Sequence, residues 1–525
     1  MHRVPRALRL AVSAALIASA SPFVPAATQP QPQRYNIVFV LVDDLRFDSM
    51  GFLTPGLKTP NIDFLAKNGV YFPNAVVTSA LCSPSRATIL TGQTARNHGI
   101  IDNNDSSEKG LVFFPQYLRA AGYQTAFVGK WHMGQAADAP RPGFDHWVSF
   151  RGQGNYFPVA GQGLNVNGQP VEQKGYITDE LADFALDWLE RGRDKSKPFF
   201  LYLSHKAVHS DATPPPRYAT QYADLDIRLP ASMANTEENN RGKPMWVRNQ
   251  RNSWHGADFP YHTDRSLQDY VRDYYRTLSP VDESVGRILK SLRKQGLEKN
   301  TLIVFYSDNG FLFGDHGLID KRNAYEPSVR VPMVAYAPGL LPKGVVNPVR
   351  VRNLDLAPTF LDVAHVAAPP QFEGKSILPV ASGKVAPDAW KEDDFVYEYY
   401  WEWTFPHTPT TFAIEHGRVK YIQYHGVWDL EELYDLERDP GEMRNLIDDP
   451  AFRETKIDLR RRLYAALANR DGKHVVPYTE RTSTGVVFRN EDGAEAAPFP
   501  PEWLKAPNDP NRMIGIFPER LQTPQ

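Results

Sequence analysis

The chain has a single cysteine, Cys82, among its 525 residues. One cysteine excludes any intrachain disulfide, and a lone buried thiol is usually inert unless its neighbours indicate otherwise. The chain also lacks an excess of charge, because its net charge of −2 gives no overall attraction to nucleic acid or to an anionic membrane. After the first residues, no apolar run reaches the roughly 18 residues of a membrane span. With 44 prolines and 35 glycines, the sequence predicts a large, loop-rich globular protein.

The first residues have the three parts of a secretory signal peptide. Three arginines precede a short apolar run over 10–18, and small residues follow, among them those at 26–27. This order of charge, short apolar run and small residues is typical of a cleaved export signal. We therefore assign residues 1–27 to a signal peptide and expect an exported protein, periplasmic or secreted.

Four apolar runs predict strands, and each is followed closely by polar residues. They are NIVFVLV (36–42), QTAFVGK (124–130), PFFLYLS (198–204) and TLIVFYS (301–307). Continuous apolar, β-branched runs are typical of strands that are buried on both faces of a parallel sheet. In open α/β sheets the site lies outside the carboxyl ends of the strands. The sequence therefore predicts an α/β fold with its site at that edge.

Other patterns predict helices and loops around this sheet. Apolar residues at helical spacing indicate helices over 177–192 and 266–296. The second contains Pro280, which predicts a kink or break, and ends at Gly296. The segment 210–262 is polar and irregular, as substrate-side loops often are.

The pattern changes after about residue 376. Strands are predicted over 395–403 and 411–425, the latter with a hairpin turn near Gly417, and a helix over 450–468. We infer a smaller antiparallel-sheet subdomain. The predicted division is a signal peptide at 1–27, a catalytic domain at 35–375, a C-terminal subdomain at 376–480 and a wrapping tail at 481–525.

The residues around Cys82 form a specific motif. The segment 82–92 reads CSPSRATILTG, which fits the pattern C-x-P-S-R-x-x-x-x-T-G at every fixed position. The chain here resembles the formylglycine-dependent sulfatases of the alkaline-phosphatase-like superfamily. The resemblance implies a mostly parallel sheet sandwiched by helices, with a smaller C-terminal antiparallel-sheet α+β subdomain. It also implies that a formylglycine-generating enzyme oxidises Cys82 to 3-oxoalanine (formylglycine) during maturation.

The motif suits nucleophilic catalysis on a sulfate ester. A hydrated aldehyde carries two hydroxyls on one carbon, so one hydroxyl attacks sulfur and the other drives release of sulfate. Pro84 fits the first turn of a helix, which places position 82 at a helix N-terminus, where the dipole favours an anion. Arg86, one turn later, is expected to hold and polarise the nucleophile.

Two acidic pairs at strand ends predict a metal site. Asp43 and Asp44 follow the first strand, and Asp308 and Asn309 follow the strand at 301–307. Singly, each pair would be read as turn-forming residues. Together, beside the motif at Cys82, they match the metal ligands that the resemblance implies, with residue 82 facing the ion. Hard oxygen ligands favour Ca²⁺ or Mg²⁺ over Zn²⁺, and the choice between these two ions stays open.

The resemblance also assigns acid–base and sulfate-binding roles. Lys130 and His132 match a G-K-W-H element, in which the lysine binds a sulfate oxygen and the histidine takes the proton that drives elimination. Lys321 matches a later lysine that faces the sulfate and the leaving oxygen. His209 aligns with the histidine that donates a proton to the leaving alcohol. His205, four residues earlier, is interpreted as a neighbour or a substrate contact.

The substrate is expected to be a sulfated sugar or polysaccharide. The elements KAVH (206–209), GDHG (314–317) and DKR (320–322) look similar to those of glycan sulfatases, including N-acetylglucosamine-6-sulfatase-like enzymes. The candidate substrate-binding residues are His205, Trp254, His316 and Arg322.

Two other functions remain open from the sequence. Phosphonate or phosphodiester hydrolases of the same superfamily share the fold, and some share the cysteine motif. The sequence shows no second cluster of Asp and His for a second metal ion, which favours sulfate monoesters. The other alternative is a catalytically silent glycan-binding homologue, which requires Cys82 to remain a thiol.

Overall fold

The computed structural model describes residues 33–104, 108–134, 138–249, 261, 263–402, 404–425 and 430–468. The predicted signal peptide and the predicted tail at 481–525 lie outside the described residues.

The strands of the described residues are short except near the centre of the fold. They are β1 (Asn36–Val42), β2 (Val70–Tyr71), β3 (Ala75–Val76), β4 (Gln124–Lys130), β5 (His146–Phe150), β6 (Gly163–Val166), β7 (Gln169–Glu172), β8 (Phe199–Ser204), β9 (Thr301–Ser307), β10 (Leu312–Phe313), β11 (Ile319–Asp320), β12 (Met333–Tyr336), β13 (Val345–Val346), β14 (Val351–Arg352), β15 (Phe395–Tyr399), β16 (Thr410–His416), β17 (Val419–His425) and β18 (Glu432–Asp435).

The helices of the described residues range from one turn to eight turns. They are α1 (Pro60–Asn68), α2 (Cys82–Thr91), α3 (Ala95–His98), α4 (Phe114–Ala120), α5 (Ile177–Asp187), α6 (Glu237–Asn240), α7 (Met245–Asn249), α8 (Leu267–Lys294), α9 (Glu326–Val329), α10 (Leu356–Val363), α11 (Leu378–Ala381) and α12 (Arg453–Ala468).

A mostly parallel sheet forms the centre of the fold. Its strand order is β13-β2-β12-β9-β1-β8-β4-β5-β6-β7, and the run from β9 to β5 is parallel throughout. Alternate residues of β1 belong to two different hydrophobic clusters. One cluster includes residues of α2, α4 and α10, and the other includes residues of α1, α5 and α8. Helices therefore cover both faces of the sheet, as predicted.

A second sheet lies in the C-terminal part of the chain. It is antiparallel, with the order β15-β16-β17-β18, and the turn between β16 and β17 contains Gly417 at φ 59°. Its apolar residues and those of α12 form a third hydrophobic cluster. The predicted fold class, an α/β sheet with a smaller antiparallel α+β part, is confirmed.

The long helix α8 contains Pro280, where the sequence predicted a kink or a break. The helix continues through this proline without a break, although a proline in a helix interior costs about 3 kcal/mol. Buried residues on both sides of Pro280 pack in the cluster beneath the sheet, and this burial outweighs the lost hydrogen bond. Across the part of the chain that the structure describes, no helix has the length and apolar composition of a membrane span.

Candidate active site

Two strand ends bring the predicted acidic residues together. Strands β1 and β9 are neighbours in the sheet and parallel, so the residues that follow them meet at the same edge. The backbone N–H of Asp44 donates to Asp308 Oδ1 at 3.0 Å, and Asn309 Nδ2 donates to Asp44 Oδ1 at 2.7 Å. Asp43, Asp44 and Asp308 each offer a carboxylate oxygen, and these oxygens lie within 4.8 Å of one another. All four side chains are buried.

The charges of these carboxylates favour a cation between them. Burial, and then the charge of Asp43, raise the pKa of Asp308 to about 7. Burial also raises the pKa of Asp44, whereas at Asp43 the charge of Lys130, with those of His209, Arg86 and Lys321, outweighs burial and lowers the pKa. Among the described residues, Asn309 Oδ1 is buried and has no hydrogen-bond donor. Three crowded carboxylates and one free amide oxygen fit a hard divalent ion.

Cys82 is the first residue of α2 and lies against this cluster. The preceding Leu81 is extended, so the helix begins at the cysteine, which is completely buried. Its Sγ lies 3.5 Å from Asp43 Oδ1, 3.3 Å from Lys321 Nζ and 3.9 Å from Lys130 Nζ. Burial raises the pKa of the Cys82 thiol to about 12. An unmodified thiol at this position is therefore protonated at neutral pH and is a poor nucleophile.

Two lysines place positive charge on either side of Cys82. Lys130 ends β4 and pairs with Asp43, and it also donates to the side chain of Gln153. Lys321 follows β11 and pairs with Asp44. Burial lowers the pKa of Lys321, but the charges of the Asp44 carboxylate and the Cys82 sulfur outweigh it and leave the pKa well above its usual value. The two ammonium groups and the carboxylates thus form a compact charged pocket around position 82.

Arg86 contacts the surroundings of the nucleophile rather than its sulfur. Its Nε donates to Asp308 Oδ2 at 2.9 Å, and its NH1 donates to the backbone oxygen of Lys130 at 2.6 Å and to Ser204 Oγ at 2.8 Å. Its NH2 lies 3.7 Å from Asp43 Oδ1. The guanidinium therefore joins the helix of Cys82 to three strand ends. Direct polarisation of the nucleophile stays a prediction.

His132 is close to the same charges and is buried. Its backbone oxygen accepts a hydrogen bond from Ser83, the residue after Cys82. Among the described residues, neither nitrogen of its ring has a hydrogen-bond partner. Burial, followed by the charges of Lys130 and Arg86, lowers the pKa of His132 well below its usual value, so the ring is neutral. A neutral, unpartnered imidazole is able to accept a proton.

The two candidate histidines after β8 lie in different environments. His209 Nε2 lies 3.7 Å from Asp44 Oδ2, and the ring shares the cluster with Asp43 and Cys82. His205 is completely buried, and its Nε2 lies 3.2 Å from Ser284 Oγ on α8. Successive residues of an extended chain point to opposite faces, so the neighbouring serine faces Arg86 while His205 faces α8. The structure places His209 in the cluster and shows His205 in contact with α8 instead.

The other predicted substrate contacts are engaged with protein groups. Arg322 pairs with Asp320, its Nε donates to Glu402 at 2.8 Å, and its guanidinium lies 3.7 Å from the centre of the Phe405 ring. His316 is buried with its ring 4.3 Å from that of Tyr325. No contact between these two side chains and Cys82 is found among the described residues. Trp254 lies outside the described residues.

A loop that the sequence did not predict to take part also reaches the site. It follows β5, the neighbour of β4, and carries Gln153, whose Oε1 accepts a hydrogen bond from Lys130. It also carries Tyr156, whose hydroxyl donates to the backbone oxygen of His209 at 2.7 Å. The rule that polar residues follow buried strands also applies to β5, and it would have identified Gln153.

Comparison with known proteins places the chain among enzymes that cleave sulfuric esters. A curated N-acetylglucosamine-6-O-sulfatase from Bacteroides thetaiotaomicron is 31% identical over 516 residues, which covers 87% of this chain and 90% of the relative. Human N-acetylglucosamine-6-sulfatase is 32% identical over 466 residues, covering 79% and 81%. A solved structure, described as a complex with its substrate D-glucosamine-2-N,6-O-disulfate, is 30% identical with a TM-score of 0.73, covering 85% of this chain and 100% of that chain.

Family models match most of the described chain. The family described as N-sulphoglucosamine sulphohydrolase, C-terminal, matches residues 314–469. The family described as Sulfatase matches residues 35–366, which contain Cys82 and the acidic cluster. The chain belongs to the sulfatase family and is a sulfuric-ester hydrolase.

Proposed function

We propose that the protein removes sulfate from a sulfated sugar or polysaccharide, with a formylglycine at position 82 and one divalent metal ion. One observation carries the proposal: Cys82 Sγ lies within 4 Å of both Lys130 Nζ and Lys321 Nζ and 3.5 Å from Asp43 of the acidic cluster. This is the arrangement that a nucleophile needs beside an anionic ester. The sugar is proposed because curated relatives act on N-acetylglucosamine 6-sulfate, as their names state.

The thiol itself is unsuited to the reaction, because burial raises its pKa to about 12. The proposed maturation is a two-electron oxidation that replaces the sulfur of Cys82 with oxygen and releases sulfide. A formylglycine-generating enzyme carries it out with an external two-electron oxidant. The hydrated aldehyde supplies one hydroxyl to attack sulfur and another to expel sulfate. Oxidation of Cys82 before or during export is part of the same proposal.

The metal is proposed to be Ca²⁺, with Mg²⁺ as the alternative. Asp43, Asp44, Asp308 and Asn309 would hold it through oxygen atoms, with residue 82 facing the ion. The ion would neutralise negative charge on the sulfate and on the nucleophile. Its binding would also offset the burial and the charge of Asp43 that raise the pKa of Asp308.

The remaining residues are given roles that fit their positions. Lys130 and Lys321 bind sulfate oxygens on the two sides of residue 82. His209 donates a proton to the leaving alcohol, and an anionic substrate beside its ring raises its pKa for this task. His132 accepts the proton during release of sulfate. Arg86 keeps the strand ends in register with α2.

Recognition of the sugar is proposed for Arg322, His316 and Trp254. His316 lies between β10 and β11, and Arg322 comes directly after Lys321 at the end of β11. In sequence, Trp254 belongs to the segment between β8 and α8. His205 is not assigned a substrate contact, because its described hydrogen bond is to Ser284.

Matched substrates test the proposal. The purified, matured enzyme is assayed with N-acetylglucosamine 6-sulfate, an aryl sulfate and the corresponding aryl phosphate or phosphonate. We expect kcat/KM to be larger for the sulfate than for the phosphorus ester, and the sugar sulfate to be hydrolysed. Preference for the phosphorus ester would instead support a phosphonate or phosphodiester hydrolase. Turnover of the aryl sulfate alone would contradict the sugar assignment.

A further inference from the structure

Lys206 is a buried ammonium group that the proposed reaction does not use. The residue is 4% exposed. Its Nζ lies 4.6 Å from the centre of the Tyr156 ring, and among the described residues it has neither a hydrogen bond nor an ion pair. Burying an unpaired ammonium costs free energy, and the face of one aromatic ring offsets only part of that cost. A ligand that brings anionic oxygens would offset the rest.

The backbone holds Lys206 at the edge of the active site. The N–H of Asp43 donates to the oxygen of Ala207 at 2.9 Å, and the N–H of Val208 donates to the oxygen of Asp43 at 2.9 Å. The N–H of His209 donates to the oxygen of Lys206 at 3.1 Å, which closes a turn. Lys206 and His209 therefore share one short segment that is fixed to the acidic cluster.

Tyr156 packs against this segment. Its hydroxyl donates to the backbone oxygen of His209 at 2.7 Å, while its ring faces the ammonium of Lys206. The ring is also stacked on Tyr176, with 5.7 Å between centres and 18° between planes. Stacking on Tyr176 therefore fixes the ring of Tyr156. The ammonium of Lys206 lies against this ring and has no carboxylate at ion-pair distance among the described residues.

The carboxylates around position 82 are already paired with cations other than Lys206. Three carboxylates, those of Asp43, Asp44 and Asp308, pair with three cations, Arg86, Lys130 and Lys321. Lys206 adds a positive charge to this balanced set, and a divalent ion would add two more. A substrate with a single sulfate brings one negative charge. The excess positive charge favours a substrate with a further anionic group.

Lys206 is close in the chain to His209, the residue assigned to the leaving group, because one turn joins them: the N–H of His209 donates to the oxygen of Lys206. Burial, and then the charge of Lys130, lower the pKa of Lys206 to about 8 against the attraction of Asp43, Asp44 and Asp211. The ammonium therefore keeps most of its charge at neutral pH.

We propose that Lys206 binds a second anionic group of the substrate, carried by the sugar in addition to the sulfate ester that is cleaved. This inference rests on the proposed sugar sulfatase function and specifies its substrate class. The group is a second sulfate on the same sugar or the carboxylate of an adjoining uronic acid, since both present anionic oxygens to an ammonium.

Steady-state kinetics with three substrates test this role. N-acetylglucosamine 6-sulfate carries one anionic group, D-glucosamine-2-N,6-O-disulfate adds a sulfate, and 6-sulfated N-acetylglucosamine linked to a uronic acid adds a carboxylate. For the wild type we expect a lower KM for at least one doubly anionic substrate. In Lys206→Met that advantage should fall roughly 10- to 100-fold, the usual effect of losing a charged hydrogen bond. If the disulfate loses its KM advantage in the variant, Lys206 binds the second sulfate. If the uronic acid substrate loses it, Lys206 binds the carboxylate.

Lys206→Arg is the matched variant, because it keeps the charge and should restore most of the preference. Equal losses on all three substrates, or a wild type with no preference for either doubly anionic sugar, would overturn the inference. The wild-type preference is measurable even where Lys206→Met does not fold, which the melting temperature reports. A wild type inactive on all sugar sulfates would instead contradict the proposed function itself.

Discussion

Arg86 Nε donates to Asp308 Oδ2 at 2.9 Å, and this contact ties the helix of Cys82 to the strand end that supplies the acidic cluster. The same guanidinium reaches Ser204 at the end of β8 and the backbone oxygen of Lys130 at the end of β4. Position 82 and the carboxylates are therefore held in one fixed arrangement. Such a site needs little reorganisation when substrate binds.

Loss of Arg86 should destabilise the fold strongly. Arg86→Met removes a buried cation and leaves Asp308 without its partner, which costs roughly 3–5 kcal/mol. Urea unfolding of the purified variant measures the change. Arg119→Met is the control, because its pair with Asp145 is largely exposed and is worth at most about 1 kcal/mol. Similar losses in both variants would contradict the role given to Arg86.

His209 is predicted to matter most for poor leaving groups. His209→Ala should lower kcat/KM for a sugar sulfate by roughly 10²–10⁴-fold, since the sugar alcohol needs a proton as it leaves. An aryl sulfate with an acidic phenol should lose far less. The ratio of the two losses is the measurement, and equal losses would argue against proton donation by His209.

His205 provides the matched control for this experiment. His205→Ala removes a buried ring that contacts Ser284, so it should lower the melting temperature without making the rate more sensitive to the leaving group. A leaving-group effect as large as that of His209→Ala would exchange the roles of the two histidines.

Metal binding is predicted to stabilise the protein. After chelation, adding Ca²⁺ or Mg²⁺ at about 100 times its dissociation constant should contribute about 2.7 kcal/mol, which raises the melting temperature of a chain of this size by roughly 3 °C. Asp44→Asn should reduce this shift, whereas Asp48→Asn, which alters a carboxylate paired with Arg46, should keep it. The absence of any shift with either ion in the chelated wild type would contradict the proposed metal site.

Asp282 is predicted to make stability depend on pH. Its carboxylate accepts the backbone N–H groups of Asn61 and Ile62 at the start of α1, yet burial raises its pKa to about 6. The folded state therefore keeps the proton to a higher pH than the unfolded chain, whose pKa is about 3.9. The contribution of Asp282 to stability thus falls as pH rises from about 4 to above 6.

The comparison with Asp282→Asn isolates this group. Between pH 5 and pH 7.5 the variant should gain roughly 1 kcal/mol of unfolding free energy relative to the wild type. Urea unfolding at both pH values measures the difference. A difference that is constant with pH, or that changes in the opposite direction, would contradict the raised pKa.

The sequence predicted the parts of the site that follow from strand ends and from the motif at Cys82. Asp43 and Asp308 were expected to meet because the strands before them are buried and parallel, and the structure agrees. Contacts that depend on the path of a loop could not be predicted. The position of Tyr156 against His209 depends on the loop after β5, and the pairing of Arg322 with Glu402 depends on how the C-terminal sheet packs.

The helix α8 and His205 show why local patterns gave incomplete answers. Pro280 predicted a kink or a break, and the helix does not break there, because the buried residues on both sides of the proline pack against the sheet. His205 and His209 lie four residues apart, so strand alternation alone would place both on one face. The turn closed by the hydrogen bond from the N–H of His209 to the oxygen of Lys206 separates the ring that lies by Asp44 from the ring that contacts Ser284.

All of the catalytic roles proposed above require residue 82 to be an aldehyde in the active protein. Mass spectrometry of the tryptic peptide 68–86, from protein purified from its native host, identifies the residue at this position. We predict the mass of formylglycine, or of its hydrate, in place of cysteine, together with reactivity toward a hydrazine reagent. An unmodified thiol at position 82 in protein that hydrolyses sulfate esters would rule out the formylglycine mechanism.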